Sequence, residues 1–283
     1  MTQHEEAALR KLDAAFRTVS LNPKDAVPDV LYHYTSARGL AGIVASRRLR
    51  AGNFGYLNDS MELRYGGNLI EQIVSERLQG EPNVQVKKVL GVVHRVIELI
   101  GKELEFYLAC FCTESDLLGQ WRGYGSSKGR YCIGFETERL YLAKPKSTLT
   151  RVLYDGERQK SSVAKDISRA VDMIAEIASD GDPSDDFAKR VSGVLAEKLV
   201  RDLCSFKHPG FHEEREWRMV HRLEDLLAVE FEPVGGVIKP FIELSWESEI
   251  PIREVIVGCG SPSHAFRAVE LLLMRNGFDQ VTS

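Results

Sequence analysis

Between Glu157 and Phe206 the apolar residues recur every three or four positions. Ile167, Val171, Ile174 and Ile177 form one stripe, and Val191, Val194, Leu195 and Leu199 form another. That spacing predicts two amphipathic helices, and the turn-forming stretch Ser-Asp-Gly-Asp-Pro-Ser-Asp-Asp between them makes a helical hairpin. On both sides the pattern is that of strands: Phe106–Cys112, Arg130–Glu136 and Leu149–Asp155 before it, then four further runs between Glu216 and Gly258. A chain with strands near both ends and helices between them does not alternate as βαβ units. The expected class is therefore α+β, with a mixed or antiparallel sheet core and an inserted helical hairpin.

The rest of the chain fits a single domain in four parts. Residues 1–29 hold a helix and a connector, since Leu9, Leu12, Phe16 and Val19 keep helical spacing and Pro23 and Pro28 end it. Residues 30–156 form the first half of the core, 157–206 the hairpin and 207–283 the second half. Within the first half, a strand at Val30–Tyr34 leads to a helix at Ala37–Ser46 with Ser36 as its N-cap. Helices are expected over 60–78 and 84–104, and a last one over 263–276 ends at Gly277.

Composition narrows the class. Of 283 residues, 43 % are hydrophobic and 28 % charged, the balance of a globular chain with a core. A net charge of -4 argues against a general nucleic-acid coat. No apolar run reaches the roughly 18 residues of a membrane span, and the charged N-terminus is unlike a secretion signal. Five cysteines without framework spacing fit reduced thiols, so a cytoplasmic location is expected.

The densest polar cluster runs from Lys207 to Leu223. Glu214 and Glu216 stand two apart where the chain enters a strand, with Arg218 two further on, so an extended chain turns all three to one face. Two readings stay open: a solvated strand edge, or paired carboxylates that perturb each other's ionisation. His208 and His212 are four apart, but Pro209 and Gly210 intervene, which makes surface histidines the better reading than a metal pair. Cys110 and Cys112 alternate along a strand and read as core. Asp59 and Ser60 fit a helix cap, and Trp121 and Tyr124 fit either a core pair or a stacking platform. His33, inside the first strand, is either a core histidine bonded to a carbonyl or a ligand-positioning group.

The blocks as a set resemble the bacterial family known as domain of unknown function 2971. The resemblance lies in Leu-Tyr-His-Tyr-Thr-Ser from Leu31, in Leu-Asn-Asp-Ser-Met-Glu-Leu from Leu57, and in the Cys110–Gly125 block with its Trp-x-x-Tyr. It continues through Gly129–Phe135 and the Lys207, Phe211, Glu214, Glu216, Arg218 block. A looser resemblance, carried by the strand ending His-x-Thr before a small-residue helix, is to ADP-ribosyltransferases that modify nucleic acids. Glu214-x-Glu216 is likewise similar to the Glu-x-Glu of arginine-directed members. This chain departs from them in lacking a plain Ser-Thr-Ser strand and in carrying the Asn-Asp motif.

What that second resemblance implies is an ADP-ribosyltransferase-like core that takes NAD as substrate, without a metal. It assigns catalysis to Glu216 and Glu214. Binding of NAD falls to His33, Tyr34, Thr35, Asn58, Asp59, Trp121, Tyr124 and Arg218. The implied reaction is ADP-ribosyl transfer to an unspecified protein or nucleic-acid acceptor, or hydrolysis of NAD, in a toxin or phage-defence effector. Two alternatives from other classes remain. One is a non-catalytic module binding a nucleotide or partner on the same cleft. The other is a metal-dependent nuclease using Asp59, Glu62, Glu214 and Glu216.

Overall fold

A computed structural model describes residues 1–17, 27–56, 60–99, 106–124, 129–143, 147–179 and 181–282. In chain order its helices are α1 (Gln3–Arg17), α2 (Ala37–Ser46), α3 (Ser60–Gly80), α4 (Val84–Glu98) and α5 (Leu118–Tyr124). They continue with α6 (Thr137–Leu140), α7 (Gly156–Ser179), α8 (Asp185–Ser205) and α9 (Ala265–Arg275). The strands are β1 (Val30–Thr35), β2 (Leu49–Asn53), β3 (Phe106–Cys112), β4 (Tyr131–Glu136) and β5 (Thr148–Arg151). After α8 come β6 (Glu216–Arg222), β7 (Glu230–Val234), β8 (Val237–Leu244) and β9 (Ile252–Val257). The order is α+β, and no described helix is long and apolar enough to cross a membrane.

The chain divides into two compact units. One unit, built from Met1–Ser20, Leu57–Leu104 and Leu153–Phe211, holds α1, α3, α4, α7 and α8. The two helices of the hairpin thus pack with other helices of their own unit. The stripe of α8 explains why: Phe187, Val191, Leu195, Leu199 and Leu203 recur every fourth residue and are each 0 % exposed. Ser184 caps that helix by accepting from the Phe187 amide, and Asn83 caps α4 by accepting from Gln85 and Val86. Helix α3 comes close to α8 at Gly66, where a Cβ would stand 2.5 Å from Leu203 Cδ1.

The other unit comprises Leu21–Tyr56, Glu105–Val152 and His212–Ser283 and, among the described residues, holds the nine strands. Its sheet follows the order β7-β8-β2-β3-β1-β4-β9, with β6 on β3 and β5 on β6. Every pair of these strands is antiparallel, and the sheet curls into a half-barrel. One face carries the main core, in which Leu31, Phe111, Phe135, Trp217, Met219 and Leu244 are packed. The other face has a small cluster of Tyr34, Cys112, Trp121 and Cys132. Ser36 caps α2 as expected, its Oγ accepting from the Gly39 amide at 3.1 Å. Strand β2 was not foreseen; only Leu49, Ala51 and Asn53 turn inward along it, too small and mixed a set for a clear alternation.

The topology contains a fork. Along one edge of β3, Leu108 pairs with Gly52 of β2, while Cys112 pairs with Tyr32 of β1. Cys110 lies between them and belongs to neither register. The opposite edge of β3 pairs with β6 from Phe106↔Arg222 to Cys112↔Glu216 without a break.

Candidate active site

The fork opens into a small cleft with a cavity volume of about 30 Å³. Strand β1 brings Tyr32, His33 and Tyr34 to it, and β3 brings Cys110, Phe111 and Cys112. Gln120 of α5, Glu214 and Glu216 complete the lining. All of these belong to the sheet unit.

Strand pairing explains how these groups meet. Tyr32 pairs with Cys112 and Cys112 with Glu216, so these three share the face opposite the main core. His33 is one residue along from Tyr32 and by alternation belongs to the other face, where its ring lies 5.9 Å from Phe111. In a continuous sheet that parity separates His33 from Glu216. Here the strands part just beyond the Tyr32–Cys112 bridge, and both side chains border the opening.

His33 does structural work at the fork. Its Nδ1–H donates to the Cys110 carbonyl at 2.9 Å, beside the gap between the β1 and β2 registers on that edge of β3. A carbonyl can only accept, so the proton sits on Nδ1 and Nε2 carries a lone pair. Burial pushes the ring's pKa below its ordinary value, outweighing the bond to Cys110, which raises it. The imidazole is therefore neutral at pH 7.

Glu216 opens strand β6 and is 5 % exposed. Arg218, 1 % exposed, donates to it from Nε at 2.7 Å and from Nη2 at 3.1 Å. Spacing of two along the strand puts both on one face, as the sequence implied. The bidentate geometry fixes the plane of the carboxylate and holds it as the anion. Arg218 is not among the residues that border the cleft and bonds Glu216 beside it.

Glu214 reaches the cleft by a different route from the one expected. It ends a 3-10 turn, Pro209–Glu214, and the following Arg215 has a φ of 46°. The segment between the carboxylates is thus not extended, and a left-handed residue turns the chain into β6. That conformation costs a non-glycine residue about 1 kcal/mol or more. Arg215 is tied down by its ion pair with Glu114 and by its carbonyl, which accepts from Thr113 at 3.4 Å.

The aromatic groups divide into two kinds. Tyr32 borders the cleft and donates its hydroxyl proton to Glu254 at 2.9 Å; burial and then that bond push its pKa up to about 12. Tyr34 donates to the Glu114 carbonyl at 2.8 Å and accepts from the Leu117 amide at 2.9 Å, so it anchors the segment leading into α5. Burial raises its pKa as well. Trp121 is 3 % exposed, sits edge-on to Tyr34 at 4.7 Å and donates Nε1–H to Asp116 at 2.7 Å. It is a packed member of the small cluster and lies outside the cleft lining, so its faces are covered by protein.

Of the remaining groups, Thr35 ends β1 and does not line the cleft. Asn58 and Asp59 lie outside the described residues, as do the side chains of Glu62 and Tyr124. Cys110 corrects the reading of both thiols as core: it is half-buried and borders the cleft, while Cys112 is buried there with its pKa raised by burial to about 11. Tyr32, Phe111 and Gln120 also border it and were not singled out in the sequence. Tyr32 and Phe111 adjoin singled-out residues along β1 and β3, and Gln120 adjoins Trp121 on α5. Among the described residues, the grouping that brings three metal-competent side chains within 4.8 Å is Glu71, His94 and Glu98, in the helical unit.

Residues 120–219 match the family model described as Protein of unknown function (DUF2971). The match takes in Gln120, Trp121, Glu214, Glu216 and Arg218, and supports the resemblance to that family seen in the sequence. No curated protein and no solved structure matches the chain.

Proposed function

We propose that the chain cleaves the bond between nicotinamide and ribose in NAD, as an ADP-ribosyltransferase or NAD glycohydrolase with an ADP-ribosyltransferase-like core. The observation that carries this reading is the Glu216 carboxylate, held by Arg218 and opening on an aromatic-lined cleft beside a second carboxylate, Glu214.

Cleavage of that bond leaves positive charge on the ribose C1′ and ring oxygen as nicotinamide departs with the bonding electron pair. The centre is oxocarbenium-like, as in glycoside hydrolysis. An anion fixed beside it stabilises the charged transition state more than the ground state, which lowers the barrier. Arg218 prevents the carboxylate from reorienting, so little reorganisation is needed as charge develops. Glu214 then takes the proton of the attacking water or acceptor hydroxyl or amine. With water, the products are nicotinamide, ADP-ribose and one proton. His33 offers its Nε2 lone pair to a ribose hydroxyl and positions the sugar.

The direct test is nicotinamide release by the purified chain, compared with Glu216→Gln. That variant keeps shape and removes charge, and should lose about 10²–10³ in rate, the usual cost of one transition-state electrostatic contact. Melting temperature is followed alongside. Release at the parent's rate from a folded Glu216→Gln protein removes Glu216 from catalysis.

A further inference from the structure

We infer that Gln120 reads the carboxamide of the departing base, so that the cleft selects a pyridinium bearing a carboxamide over one bearing a methyl ketone. The inference rests on the reading of this site as one that cleaves the bond between nicotinamide and ribose.

The first argument is an amide without a partner. Gln120, on α5, is 8 % exposed and borders the cleft. Among the described residues, nothing hydrogen-bonds its side chain. Other polar groups of the lining are engaged within the protein. Tyr32 donates to Glu254 and His33 to the Cys110 carbonyl, while Cys112 Sγ accepts from the Glu114 amide and Glu216 accepts from Arg218. Glu214 and Cys110 also have partners. Buried amides are nearly always hydrogen-bonded, because an unpaired one costs free energy. A ligand that pairs with Gln120 recovers that cost on binding, and one that cannot pair does not.

The second is the pattern of donors and acceptors. A glutamine amide holds N–H donors and a carbonyl acceptor in one plane. Its complement has an acceptor and a donor side by side, as a primary carboxamide does. The carbonyl of such a group accepts from Gln120 Nε2–H, and its own N–H donates to Gln120 Oε1. A methyl ketone keeps the acceptor alone. Nicotinamide carries the carboxamide as a ring substituent, so the leaving base has the group that Gln120 fits.

Size is the third. A cavity of about 30 Å³ exceeds the roughly 10–15 Å³ that one water needs and falls well short of the roughly 150 Å³ cavity that takes up benzene. It suits a substituent of a few heavy atoms. The carboxamide then enters beside Gln120, and the ring remains outside the enclosed space.

The test compares the full chain with Gln120→Met, which keeps the length of the side chain and removes the amide. Each is given NAD and its 3-acetylpyridine analogue, which carry the same charge. Base release is followed by chromatography, and binding of free nicotinamide and free 3-acetylpyridine by calorimetry. The parent should favour NAD in kcat/KM by about tenfold to a hundredfold, and Gln120→Met should bring the two substrates within about threefold. Because the amide holds no bond to a described residue, the variant should melt at or above the parent's temperature, whereas loss of a structural glutamine would lower it. Gln120→Leu repeats the comparison if Gln120→Met does not fold, and failure of both to fold overturns the inference. A preference that survives in a folded variant, or a parent without preference, overturns it while leaving the cleavage reading intact. Carboxamide-selective binding that the variant loses, with no release from either dinucleotide, supports recognition by Gln120 and removes the cleavage reading. Neither release nor carboxamide-selective binding overturns both.

Discussion

Arg218 Nε lies 2.7 Å from Glu216 Oε1, and its Nη2 lies 3.1 Å from Oε2, in a pair whose side chains are only 1 % and 7 % exposed. Such a pair is costly to break from one side. Removing one partner leaves a buried charge uncompensated, at about 3–5 kcal/mol, whereas replacing both with groups of similar shape is often close to neutral. Arg218→Met should therefore destabilise the protein more than Arg218→Met combined with Glu216→Gln. Urea unfolding of the parent, both single variants and the double variant measures the coupling. If the double variant is as unstable as the sum of the singles, the two residues act independently and Arg218 does not hold Glu216.

Glu214 should separate two steps that Glu216 does not. It borders the cleft from a turn and, on the proposed mechanism, takes the nucleophile's proton. Glu214→Gln should slow transfer to an acceptor by roughly 10²–10⁴, the usual range for a general base, and slow nicotinamide release less. Release and transfer are read in the same reaction with a labelled NAD. Equal loss in both would show that Glu214 serves the bond-breaking step.

His33 makes stability depend on pH in a definite direction. Burial depresses its folded-state pKa below the ordinary 6.5, so below that pH the unfolded chain binds a proton that the folded chain does not. Its contribution to stability is complete above the unfolded value and is lost as pH falls from there through the lower folded value. The loss approaches about 1.4 kcal/mol per pH unit inside that window. His33→Gln does not titrate. Its melting temperature should fall less than the parent's between pH 7.5 and 5, and a parallel fall in both would exclude His33 as the source.

Gly258 controls the packing behind Tyr34. A Cβ there would stand 2.9 Å from Trp121 Cζ3, 3.0 Å from Trp121 Cε3 and 2.9 Å from Arg130 Cβ, closer than real contacts permit. Because the indole is wedged against Tyr34 and bonded to Asp116, it cannot swing aside freely. Gly258→Ala should cost about 1–3 kcal/mol, as overpacking usually does. It should also alter the near-ultraviolet circular dichroism of the aromatic cluster. A variant with parent stability and spectrum would show that the cluster has room to relax.

Local features of this molecule were legible in the sequence because their causes are local. The Ser36 cap needs only the amide three residues on, and the stripe of α8 repeats with the helical period. Glu216 and Arg218 share a face because successive strand side chains alternate. The fork was not legible. Which strands border Cys110 depends on pairings between distant segments, and the ring that bonds its carbonyl, His33, lies 77 residues away. Alternation correctly sets the parity of His33 but cannot say that β1 and β3 part beside it, and that parting lets His33 and Glu216 border one opening from opposite faces. Nor could spacing show that Trp121 is covered by Tyr34 and Gly258, or that Arg215 adopts a left-handed turn. Periodicity reports which side of an element is buried; the neighbours that bury it, and the gaps they leave, arise only when the whole chain packs.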